Sequence, residues 1–136
     1  MKNLAILLIL SVSFLFACKK ETPKSQNLLL LTSHTWTSDS LLVNKLKADD
    51  PGGMLEKFKG DMKFEEGGTG TFGQYTGTWW FSDNETDIVI VSAELVAPMT
   101  TNIVELKTSS LKITTIFPNL ADINHPFSIR MTFKPK

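Results

Sequence analysis

The chain holds 136 residues, 14 basic side chains against 14 acidic ones, and 42% hydrophobic residues, enough for one domain with a core of its own. Balanced charge excludes the basic stripe expected of a nucleic-acid partner, and no block of like charge forms an interaction tail. The single cysteine, Cys18, excludes an intramolecular disulfide.

Lys2 precedes an uncharged apolar run from Leu4 to Ala17. These have the form of the n-region and h-region of a secretory signal. The run is shorter than the roughly 20 apolar residues of a membrane-crossing helix. It ends at Leu15-Phe16-Ala17-Cys18, followed by Lys19 and Lys20. That boundary resembles the bacterial lipobox. The resemblance implies cleavage before Cys18, a diacylglycerol on its sulfur and an acyl chain on the new amino group, the combination that holds a protein stably at a membrane. Residues 1–17 are then a signal peptide, the membrane is a partner through Cys18, and the expected location is the cell envelope, at the outer membrane. Residues 18–27 (CKKETPKSQN) are polar, contain Pro23 and lack periodicity, as a flexible tether does. Residues 28–136 remain as the folded domain.

Leu28 to Leu31, with Thr32 and Ser33, reads as a short helix or turn that plugs one end of the fold, too short to stand alone. A first strand spans Thr35 to Lys45. Its apolar residues change face, with Trp36 and Leu42 on one side and Leu41 and Val43 on the other, so a bulge or bend is expected within it. Leu46 to Lys59 is a long connection, turned by Asp50-Pro51-Gly52-Gly53. Its Met54, Leu55 and Phe58 would share one face of a helical turn and sit over an open end as a lid. Asp61 to Glu66 alternates, with Met62 and Phe64 on one face, and Gly67-Gly68 marks a hairpin. Thr69 to Gly73 is a short, Gly-rich strand.

Tyr75 to Phe81 and Asp87 to Ser92 form the clearest hairpin, with Tyr75, Trp79 and Phe81 on one face and Trp80 on the other. Ala93 to Thr100 is expected to be a loop. Asn102 to Lys107 follows as a strand, with Val104 and Leu106 on one face. Leu111 to Phe117 alternates after a turn at Thr108-Ser109. Pro118 to Pro126 is a second long loop. Phe127 to Lys134 is the most regular period-two segment, with Phe127, Ile129, Met131 and Phe133 facing in. About eight strands with evenly spaced turns predict an all-β fold: an antiparallel up-and-down eight-stranded barrel with a short N-terminal helical turn.

Three stretches carry a family resemblance: Leu30-Leu31-Thr32-Ser33-His34-Thr35-Trp36, Gly77-Thr78-Trp79, and Glu105 through Ile113. They make the chain similar to the small lipocalin-like lipoproteins of Gram-negative bacteria. The resemblance implies a barrel that binds small hydrophobic molecules. It also implies that Trp36 closes the barrel's base, with Arg130 as the basic residue that packs on it.

Reactive side chains are few, and no enzyme is expected. His34 and His125 are the only histidines, short of the three or four ligands of a zinc site. Asp49 and Asp50 lack the register of an EF-hand loop. Ser38 and Ser40 lack a Gly-x-Ser-x-Gly elbow. Glu65 and Glu66 are strand neighbours that point to opposite faces. No metal or cofactor is expected. The candidate ligand-binding set is Met62, Phe64, Tyr75, Trp79, Phe81, Ile129, Met131 and Phe133, which would face one interior. An eight-stranded barrel is just wide enough either to hold a small ligand or to be filled by these same side chains. A filled barrel would instead dock onto an envelope protein partner.

Overall fold

The computed structural model describes residues 21–136; the expected signal peptide, Cys18, Lys19 and Lys20 lie outside these residues. Among the described residues one α-helix, α1 (Gln26–Ser33), precedes nine strands: β1 (Thr35–Val43), β2 (Leu46–Lys47), β3 (Asp61–Phe64), β4 (Thr69–Phe72), β5 (Tyr75–Phe81), β6 (Asp87–Val91), β7 (Met99–Lys107), β8 (Ser110–Phe117) and β9 (Phe127–Pro135). From β3 to β9 each strand pairs with the next, all antiparallel, and β1 pairs with both β3 and β9. Eight strands therefore close an up-and-down barrel. The two-residue β2 is an extra strand, folded back onto Leu42 and Val43 of β1.

Period-two alternation builds the interior. On β9, Ile129, Met131 and Phe133 are buried and sit opposite Thr115, Ile113 and Leu111 of β8. On β5, Tyr75 and Trp79 are buried, whereas Trp80 is 50% exposed; the buried Ile90 and Ile88 of β6 sit opposite Trp79 and Phe81. The bulge in β1 lies between Ser38 and Ser40. It reverses the alternation, so Trp36 before it and Leu41 after it both reach the core. Gly77 allows a close approach of β5 to β6: a Cβ there would lie 1.9 Å from the Val91 carbonyl oxygen.

The helix closes one end. The Ser25 hydroxyl accepts from the Leu28 amide at 3.1 Å and caps α1. Leu31, a residue of the helix, is fully buried, and the Trp36 indole donates to its carbonyl at 2.9 Å. The Lys63 ammonium donates to the carbonyls of Thr32 at 2.8 Å and His34 at 3.4 Å. The last carbonyls of a helix lack partners within it; here the barrel supplies them.

Four expectations need correction. Arg130 is exposed and pairs with Leu42 and Thr114, toward the far end of the barrel from Trp36. Lys63, rather than Arg130, is the basic side chain that bonds the carbonyls at the end of α1. Leu46 and Lys47 are not part of a plain connection but pair back onto β1. In β7, pairing begins at Met99, and Val104 does not share a face with Leu106. A register shift between Ile103 and Glu105 leaves Val104 unpaired and 55% exposed, while Ile103 and Leu106 pack against the core. One extra residue is enough to move every following side chain to the other face.

Candidate functional site

Every crossover at the end opposite α1 is a turn or loop: Asn44-Lys45, residues 48–60, Gly73-Gln74, residues 92–98 and residues 118–126. The first turn holds Asn44 and Lys45 at positive φ, and its Asn44 side chain accepts from the Ser128 amide at 2.9 Å. This end is the barrel's mouth.

Residues 48–60 form a shelf on one side of the mouth. The Asp50–Gly53 turn and a single 3-10 turn, Glu56–Phe58, shape it. Backbone bonds fix it to the barrel: Ala48 N to Leu41 O at 3.0 Å, and Gln74 N to Lys57 O at 2.8 Å. At its far end the amides of Ser38 and Gly60 bond the Gly60 carbonyl and the Ser38 hydroxyl, both at 2.9 Å. Leu55 and Phe58 point down and are buried, and the Phe58 ring lies 4.7 Å from that of Tyr75. Met54, one residue earlier, stays exposed at the rim.

Between this shelf and the 92–98 loop lies a cleft of about 510 Å³. Its floor is Leu55, Phe58, Tyr75 and Ile129; its walls include Leu95, Met99, Thr115 and Phe117; its rim includes Val96 and Ile116. The Thr115 hydroxyl is spent on the Thr100 carbonyl at 2.7 Å. Glu94 is the one carboxylate in the lining, which includes no cation. Lys57 stands just outside, its ammonium 5.8 Å from the centre of the Tyr75 ring. The surface is thus apolar with polar groups at its edge, a pattern suited to holding an apolar body.

Of the eight candidate ligand-binding residues, Tyr75 and Ile129 line the cleft. The other six, Met62, Phe64, Trp79, Phe81, Met131 and Phe133, do not. Met62, Phe64, Met131 and Phe133 are fully buried among other side chains. Trp79 donates from its indole to the Glu65 carbonyl at 3.0 Å and packs edge-on against Phe64 and Phe81, each with ring centres 5.3 Å away. These residues fill the half of the barrel nearest α1. Missing from the sequence reading were Leu95, Met99, Ile116 and Phe117. Their signal was present as apolar residues within or beside the 92–98 and 118–126 loops, but alternation says which face a residue takes and not how deep it lies.

Among the described residues, no group of three or more His, Cys, Asp or Glu side chains comes together. No described helix is long and apolar enough to cross a membrane. No protein-family model matches the chain, and no curated protein matches it in sequence.

Proposed function

We propose that this chain is a lipid-anchored envelope protein that holds a small hydrophobic or amphiphilic molecule in the cleft at its barrel mouth. The observation that carries this reading is the cleft itself. Its volume, about 510 Å³, falls within the roughly 300–1,000 Å³ of small-molecule sites, which are mostly apolar with few polar groups. The lipobox-like boundary at Cys18 and the barrel's likeness in pattern to lipocalin-like lipoproteins support the same reading. The ligand sits nearer the mouth than the sequence suggested, over Tyr75 and Ile129 rather than against Trp79.

The test is a titration with a fluorescent acyl probe, paired with mass spectrometry of lipid extracted from the purified chain. Ile129→Trp fills the cleft floor and should abolish saturable binding while the circular dichroism spectrum of the fold persists. Binding that survives both this change and Met99→Arg would place the ligand elsewhere.

A second reading has its own observation. Seven of the ten exposed large hydrophobic side chains among the described residues gather at the mouth end: Leu46, Met54, Val96, Ile116, Phe117, Leu120 and Ile123. Val96 is 102%, Leu120 96% and Ile123 85% exposed. Apolar groups concentrated like this mark contact surfaces, so the mouth also suits docking onto an envelope protein. Leu120→Asp with Ile123→Asp separates the readings, since these changes should weaken docking and leave acyl-probe affinity unchanged.

A further inference from the structure

The chain enters the barrel at the closed end. Glu21 to Lys24 are exposed, Ser25 caps α1, and the Lys24 ammonium meets the Glu66 carboxylate at 2.6 Å in the β3–β4 turn. That turn, like the β5–β6 and β7–β8 turns, lies at the α1 end. The cleft and all the long loops lie at the other end.

Lengths decide what this means for an anchored chain. Six peptide links separate Lys24 from Cys18, and at most about 3.6 Å per link gives a reach of roughly 22 Å. Strands of nine residues such as β9, rising about 3.3 Å per residue and tilted by roughly 40°, set the two strand ends about 20 Å apart. The 92–98 and 118–126 loops extend farther still. An anchor at Cys18 thus meets the level of the mouth only when the tether is fully stretched flat along the barrel wall, and the loop tips stay beyond it. Full extension costs conformational entropy at every link, and nothing among residues 21–24 bonds to the wall toward the mouth.

We infer that the cleft opens away from the membrane that carries the anchor, so that its apolar ligand arrives from the aqueous side and not out of that bilayer. This rests on the lipid anchor at Cys18 and the mouth cleft proposed above. The ligand is then an amphiphile that exists in water as a monomer or on a carrier. Val96 and Ile116, on the rim, are the first surfaces its tail meets.

The experiment uses the full chain extracted from membranes and returned to lipid nanodiscs. A lipidated Cys18 has no free thiol, so Leu120→Cys or Gly67→Cys each provides one labelling site; Gly67 is exposed and a Cβ there meets nothing within 4 Å. Each variant receives a fluorophore, and phospholipids with a headgroup nitroxide serve as quenchers. The label at Gly67 should be quenched several-fold more than the label at Leu120. Equal quenching, or stronger quenching at Leu120, overturns the orientation. Thiol labelling of the wild-type chain overturns the anchor, and the orientation with it, so the two failures are distinct. As a second arm, a pyrene-labelled acyl chain on a soluble carrier should load the disc-bound protein, while a pyrene-labelled phospholipid within the disc should not. Faster loading from the disc would contradict the inference.

Discussion

Trp36 is the largest fully buried side chain among the described residues. Its indole bonds the helix, and its strand neighbours are Met62 and Pro135. Trp36→Ala should cost about 3–5 kcal/mol in urea denaturation, the range for a buried aromatic removed from a core; a loss below about 1 kcal/mol would contradict its place. Gly73 is constrained twice over. Its φ is +64°, and a Cβ there would lie 2.3 Å from the Lys57 carbonyl oxygen, where the shelf meets the β4–β5 turn. Gly73→Ala should therefore destabilise by more than about 1 kcal/mol, and hydrogen exchange should locate the loosening at Lys57 and Gln74. Glu105 sets an acid limb. Hydrogen bonds from Lys107 foremost, then Lys112 and Ser110, pull its carboxyl from 4.5 down to about 2. A carboxyl that ionises more readily when folded adds stability that is complete above about pH 4.5 and is lost as pH falls toward 2. Glu105→Gln should flatten that limb in part, as read by urea midpoints from pH 5 to pH 2. It flattens only part because Asp61 is shifted the same way, by Lys136 first and Thr37 second. The effect is small, since both groups face water.

At the scale of elements, the period-two residues made the barrel legible. Phe127 to Lys134 and Tyr75 to Phe81 sort their side chains by parity alone, and the burial of Trp79 against the exposure of Trp80 follows from it. Parity fails where the backbone gains a residue. The shift of face in β1 was readable, because Leu41 and Val43 disagree with Trp36, and the bulge at Asp39 resolves it. The shift in β7 was not, because Val104 is as apolar as the residues that go inward, and only pairing with β8 shows it to be extra. Depth was likewise illegible: Met62 and Ile129 look alike in pattern, yet one lies in the filled half and the other on the cleft floor. The shelf was partly legible, from Asp50-Pro51-Gly52-Gly53 and the Met54, Leu55, Phe58 spacing. Its role gives a prediction. Phe58→Ala should cost about 3 kcal/mol or more and enlarge the cleft floor beside Tyr75, so that a bulkier acyl probe gains affinity relative to a slim one.

The whole molecule divides into a packed half under α1 and a cleft-bearing half at the mouth. That division accounts for a filled interior and an apolar cleft in one small barrel. It also moves the expected optical signal: Trp79 lies about 13 Å up its strand from Tyr75 at 3.3 Å per residue, within the packed half, so a ligand over Tyr75 should leave tryptophan emission nearly unchanged. The most direct measurement of the central claim is a titration of the purified chain with an acyl-chain probe whose own fluorescence rises on leaving water, followed in the wild type and in Ile129→Trp. The wild type should saturate at one probe per chain with little change in tryptophan emission, and the variant should show no saturable binding. Identical saturation in both proteins, or none in the wild type with any acyl length, would contradict it.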